Sequence, residues 1–431
     1  MTLDTPRAKN LALTLLAMTQ FIIGLVLFAL ASLLGGLAQS EAWLIGARAV
    51  QGLGAALVSP AALSIITTTF RDGEERNRAL GVWGAVAGAG GAAGVLLGGV
   101  LTSELSWRWV LFVNVPIGLA CAVLAPRLLP ESRAEAETRS FDIPGAVTVT
   151  AGLSLLVYAL VDAVNAGWGS TTTLLRLGGA VALLTVFLAI ELRQRAPLMP
   201  LQIFKLRTLR GANAVSLLIG MSLFSMFFFI SLYMQQVLHY SALKAGLSYL
   251  PLAVGIIVAA GVASVGTTRA GFKPVLFAGL MFVAGGLYWF SKVPAHGGSF
   301  TADVLGPSLL AAIGLGLSFV SVTIAAMSGT REHEAGLASG LVNTTQQIGG
   351  ALGLAVLASL ANTRTNDLLH GGSHDFALAL TKGFERAFLV GTGFALVGAL
   401  LTLLLISNRD SRTHSEQARA GEPAAMGAGG A

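Results

Sequence analysis

Long, largely apolar runs alternate with short polar breaks along the chain, and a bilayer is crossed by about 20 residues of helix. Twelve runs can be drawn, at 11–38, 42–69, 78–101, 108–129, 141–162, 172–192, 211–237, 244–266, 273–292, 303–327, 337–361 and 386–407. Two longer polar stretches, "ESRAEAETRS" (131–140) and "LRQRAPLMPLQIFKLRTLRG" (192–211), divide them into four, two and six. The pattern predicts an all-α polytopic membrane protein. An N-terminal bundle of four spans covers 1–130, a linker with two extra spans 131–210, and a six-helix bundle 211–407. Residues 408–431 are polar, then Ala/Gly-rich, and are expected to form a disordered cytoplasmic tail. The first run, Leu11 to Ala38, is 28 residues long, so it is either one over-long helix or the ends of two helices joined. Its length, and the lack of a small-residue cleavage end, argue that it is retained and is not a signal peptide.

Composition agrees: 54% of the 431 residues are hydrophobic and 11% charged, against about 25% charged in a soluble domain. The 53 glycines suit helices that approach closely in lipid. A net charge of +6 invites a nucleic-acid reading, but the positions of the charges remove it. With the N-terminus in the cytoplasm, nineteen Lys and Arg fall inside and six outside, namely Arg108, Lys244, Lys292, Arg364, Lys382 and Arg386. That is the positive-inside bias of a multi-pass plasma (inner) membrane protein with both termini cytoplasmic. The lone Cys121 excludes an intrachain disulfide and a cysteine metal site.

Sliding the chain on itself by 259 residues exposes a repeat. Gly81 falls on Gly340, Gly90-Gly91-Ala92 on Gly349-Gly350-Ala351, and Gly94 on Gly353, while "RDGEERN" (71–77) meets "TREHEAG" (330–336). Two bundles related by an axis along the membrane normal form a known transporter plan. The shift lays span 273–292 over 14–33, so the first run corresponds to the third helix of a six-helix bundle, and two helices expected from the symmetry are absent.

Several motifs carry a resemblance. "ARAVQGLGAAL" (47–57), "GAGGAAGVLLGG" (88–99), "WRWVLFVNVPIG" (107–118), "PLMPLQIFKLRTLRGAN" (197–213), "LYMQQVLHYSALKAGL" (232–247) and "GLASGLVNTTQQIGGALGLAVL" (336–357) resemble the major facilitator superfamily. Within it they are most similar to the fourteen-span drug:proton antiporters of the EmrB/QacA type. The glycine motif departs by carrying Gly91 and Val95 where prolines are usual. "LALTLLAMTQF" (11–21) looks like the start of that family's first helix and "IIGLVLFALASLLGGLAQS" (22–40) like its third. The second half of the first helix, with its acidic motif, and the second helix are lacking. "TTRAGFK" (267–273) looks like a weak copy of the loop lost with them.

Arg48 lies within an apolar span, where a charge costs several kcal/mol unless paired or hydrated. Either it snorkels to the outer end or, as the resemblance implies, it serves proton coupling, with Gln51 at i+3 on its face. Glu41, Asp142, Asp162, Glu191 and Asp303 all lie at span ends. Gln51, Asn213, Gln235, Gln236, Asn343, Gln346 and Gln347 are candidates for the substrate path, or for amide contacts between helices. Gly84, Gly88, Gly90, Gly94 and Gly98 form a small-residue helix-packing motif, which by resemblance would govern rocking between bundles.

No nucleotide loop, nucleophile elbow or metalloprotease motif occurs, so neither an enzyme nor a nucleotide or other cofactor is expected. His370 and His374, spaced i and i+4, lack the partners of a zinc set. The resemblance implies export of hydrophobic or cationic drugs across the lipid bilayer by alternating access, driven by protons. The missing helices leave open a non-transporting remnant of such a pump, and a facilitated uptake carrier is a third reading.

Overall fold

The computed structural model describes residues 6–70, 74–128, 142–194, 197, 199–330, 335–372 and 374–420. The expected stretches 131–140 and "REHE" (331–334), and the end of the tail from Gly421, lie outside them, wholly or nearly so.

The described chain is helical throughout. The first half contains α1 (Pro6–Gly36), α2 (Glu41–Thr69), α3 (Glu74–Glu104), the short α4 (Trp109–Phe112) and α5 (Asn114–Leu128). Next come α6 (Ile143–Ala166) and α7 (Thr171–Arg193). The second half contains α8 (Arg207–Leu232), α9 (Ala242–Leu247), α10 (Leu250–Ala270), α11 (Phe272–Phe290), α12 (Leu305–Met327), α13 (Ala335–His370) and α14 (Phe376–Leu405). With α4–α5 and α9–α10 taken as broken single spans, these match the twelve expected runs in order. The first run is one uninterrupted helix of 31 residues, about 46 Å long.

Local chemistry sets several helix ends. Ser40, Asp142, Ser170, Ser241 and Asp375 each accept a backbone N–H of the first turn through the side chain, satisfying donors that have no intrahelical partner. Asp375 starts α14 ten residues earlier than its apolar run suggests. The repeat reappears in the boundaries. Adding 259 to α2 (41–69) gives 300–328, and α12 with the π-turn before it spans Phe300–Met327.

α1 packs on α2 and α5, and α6 on α7. In the second half α8, α11, α12, α13 and α14 share two cores. One is aromatic, built on Phe229, Tyr233, Tyr249, Phe290, Phe384 and Phe388, and the other is built on Leu209, Val215, Phe272 and Leu276. Five of the six tryptophans, Trp43, Trp107, Trp109, Trp168 and Trp289, are exposed at helix ends that up-and-down order puts on one face. Arg207, Arg269, Arg409 and Arg412 lie at the opposite ends. Such a one-sided aromatic belt suits a membrane–water interface.

Residues 408–420, expected to lack structure, instead form a thirteenth long helix, α15 (Asn408–Ala420). It packs on α10 and α11, buries Ser411 and Ser415, and accepts the Lys273 N–H through Ser411 Oγ at 3.0 Å. Its polar composition hides it from a hydropathy reading, because its contacts are hydrogen bonds and small side chains.

Candidate functional site

The N-terminal half contributes a polar chain between two helices. Arg48, on α2, donates to Gln51 Oε1 one turn on, and Gln51 Nε2 donates to Ser32 Oγ on α1. Ser32 and Gln51 are buried, at 0% and 3% exposure, while Arg48 remains exposed. The amide therefore fixes the guanidinium at one end and ties α1 to α2 at the other. Arg48 lies seven residues, about 10 Å, from the start of α2.

The C-terminal half contributes α13. Asn343 and Gln347 lie eight and twelve residues from its start, about 12 and 18 Å. Asn343 and Gln346 are partly buried and Gln347 is exposed. α13 presses closely on α8. A β-carbon added at Gly220 would collide with the Gln346 carbonyl, and one at Gly349 with the Leu217 carbonyl. Asn213 is buried in this contact: its Nδ2 donates to Leu209 O at 3.0 Å and its Oδ1 accepts from Thr345 Oγ1 at 3.1 Å. Both ends of that amide are thus occupied within the α8–α13 contact. Gln235 and Gln236 are exposed on a π-turn, Tyr233–Val237, ending α8, and Gln235 Nε2 donates to Ser231 Oγ at 2.8 Å.

The two halves meet along two seams, α2 against α13 and α3 against α9, α10 and α12. Along the second, a β-carbon at Gly81 would lie 2.9 Å from Ser264 Cβ, and one at Gly99 would lie 2.7 Å from the Ala242 carbonyl oxygen. These glycines are eighteen residues apart, about 27 Å and five full turns, so they share a face. Gly90, nine residues from each, points half a turn away. No described atom comes within 4 Å of a β-carbon at Gly90 or Gly94, and Gly98 meets only Val110 Cγ2 at 4.0 Å. Gly84 and Gly88 are on α3, but their surroundings lie outside the described residues.

Two arrangements escaped the sequence reading. Arg176, five residues into α7, pairs with Asp162 of α6 and lies 4.6 Å from the Tyr158 ring centroid. A single arginine inside an apolar run, fourteen residues after an acid, is a signal of the kind that singled out Arg48. At the far ends of α8 and α11, Lys273 Nζ donates to Leu403 O and Ile406 O at 2.8 and 2.7 Å, and Arg207 donates to Leu404 O at 2.6 Å. Together they satisfy terminal carbonyls of α14 and oppose its dipole.

His370 and His374 are exposed, and no group of three or more His, Cys, Asp or Glu able to hold a metal occurs among the described residues. His296 meets Asp375 at 2.6 Å near the start of α14. The Leu378 backbone N–H, and then His296, hold the Asp375 carboxyl below the ordinary carboxylate value.

Two helical halves meeting on two seams, with a charged polar chain on one and an amide-bearing helix on the other, suit a carrier rather than a reaction centre. The Major Facilitator Superfamily model matches residues 19–354. The chain belongs to that superfamily. It is 43% identical over 389 residues to the cephamycin export protein CmcT of Amycolatopsis lactamdurans, covering 89% of this chain and 78% of that protein. It is 36% identical over 400 residues to the puromycin resistance protein pur8 of Streptomyces alboniger, covering 92% and 78%. Among solved structures, the human organic anion transporter MFSD10 is similar in fold, with a TM-score of 0.60, 16% identity, and coverage of 92% of this chain and 81% of that one. The chain is thus a multi-pass membrane transporter of that superfamily.

Proposed function

We propose that the protein exports hydrophobic, often cationic, antibiotics or drugs across the cell membrane in exchange for protons, by alternating access of its two halves. The similarity to CmcT and pur8, both named for antibiotic export or resistance, supports the substrate class. The Arg48–Gln51–Ser32 chain carries the coupling reading, because a guanidinium kept inside an apolar span and oriented by a buried amide is costly unless used. Gln51 and the 343–347 amides would line the path, Arg48 and the amides approaching from opposite ends of α2 and α13. The four, two and six arrangement supports the EmrB/QacA type, with the first span joining parts of two of that family's helices. The bias of nineteen Lys and Arg against six supports cytoplasmic termini.

The test is ethidium and puromycin efflux from bacterial cells lacking their own pumps, at verified membrane levels of the protein, with and without a protonophore. Efflux that stops with the protonophore and is lost in Arg48→Ala supports the proposal. Efflux indifferent to the protonophore refutes coupling, and its absence for every antibiotic tried refutes export.

A further inference from the structure

The hairpin α6–α7 is a stiff body. Its helices interlock where Gly152 faces Leu184 and Gly179 faces Leu155, with β-carbon approaches of 3.0 and 3.1 Å, and Asp162 pairs with Arg176 near its tip. The four-residue turn is bound internally. Gly167 takes φ +88°, which reverses the chain, and Thr173 Oγ1 donates to its carbonyl at 2.9 Å, while Ser170 caps α7. This turn presents Trp168, whose indole Nε1–H donates to Ser359 Oγ of α13 at 3.0 Å. α6 itself packs on α13. At the hairpin's other end Glu191 accepts the Met199 N–H at 3.1 Å, and the connector runs into Ile203, buried in the same core as Leu209 and Ala212. The hairpin is therefore fastened to the C-terminal half at both ends.

From this we infer that Trp168 is a positioning residue that holds the outer part of α13 through Ser359, so that the hairpin travels with the C-terminal half and sets how fast α13 changes its contact with α2. Ser359 lies twelve residues, about 18 Å, beyond Gln347. Loss of the bond thus alters reorientation and leaves the amide region intact. The inference rests on the transport reading for its kinetic consequence, and its structural half can be measured without transport.

The experiment compares Trp168→Phe, Ser359→Ala, the double variant and Ser359→Thr, which keeps a hydroxyl, in proteoliposomes with puromycin. One hydrogen bond corresponds to a change of roughly threefold to tenfold. Both single variants should lower Vmax by that factor with KM within twofold. The double variant should be no worse than either, and Ser359→Thr should recover most of the rate. Amide hydrogen exchange over 352–364 should rise in both single variants and fall back in Ser359→Thr. Additive losses, a change confined to KM, no recovery in Ser359→Thr, or unchanged exchange would each overturn the inference. If the unmodified protein moves neither puromycin nor any other antibiotic tried, the export reading is what fails. Exchange then decides alone: a rise in both variants upholds the hold on α13, and no rise defeats it.

Discussion

Replacing Gln51 by Leu conserves volume and removes both bonds of the amide that links Arg48 to Ser32. Two costs follow. The Ser32 hydroxyl, fully buried, loses its donor, and hydrogen bonds between helices in lipid average about 0.6 kcal/mol, with a maximum near 1.7. The Arg48 contact has a charged donor, for which about 1.5–3 kcal/mol is usual, but Arg48 is exposed and the figure falls to about 1. The sum is about 1.5–2.5 kcal/mol. Denaturant titration of the purified protein in mixed micelles, followed by far-UV circular dichroism, reads this loss. Ser32→Ala should cost about 0.6–1 kcal/mol, and the double variant little more than Gln51→Leu alone, because the partners share one network. A loss below about 0.5 kcal/mol for Gln51→Leu, or strict additivity with Ser32→Ala, would refute the view that the amide ties α1 to α2.

Other contacts give further outcomes. Gly349→Val places a side chain against the Leu217 carbonyl and should separate α8 from α13, costing at least about 1–3 kcal/mol and reducing monodisperse protein in size-exclusion chromatography. Lys273→Met strips two carbonyls of α14 of their donor; it should cost about 2 kcal/mol in thermal unfolding and raise exchange over 402–408. Asp375 has a depressed pKa in the folded protein, so its contribution is present above the ordinary carboxylate value of 3.8 and is lost as pH falls through the lower folded value. Protection of the amides at the start of α14, corrected for intrinsic exchange, should therefore fall on acidification below about pH 4 in the unmodified protein, and Asp375→Asn should abolish that dependence.

The all-helical fold and the order of about twelve long helices were legible in the chain, because in lipid each helix satisfies its backbone internally and needs only length and apolarity. The 259-residue repeat was legible for a related reason: glycines and charged turns keep their places even when side chains drift. Arg48 and Gln51 could be paired from their i, i+3 spacing alone. Ser32 could not, since nothing in an apolar run says which face of α1 meets α2. The same lack of a polar face hid the rest. Asn213 turns toward Thr345, Gly81 and Gly99 meet the other half while Gly90 looks away, and Trp168 reaches Ser359 across 191 residues of sequence. Lipid is as apolar as a protein core, so hydropathy specifies that a helix crosses the membrane and leaves its rotation and neighbours open. Those are decided by close packing and by hydrogen bonds between helices, which exist only once the helices are assembled.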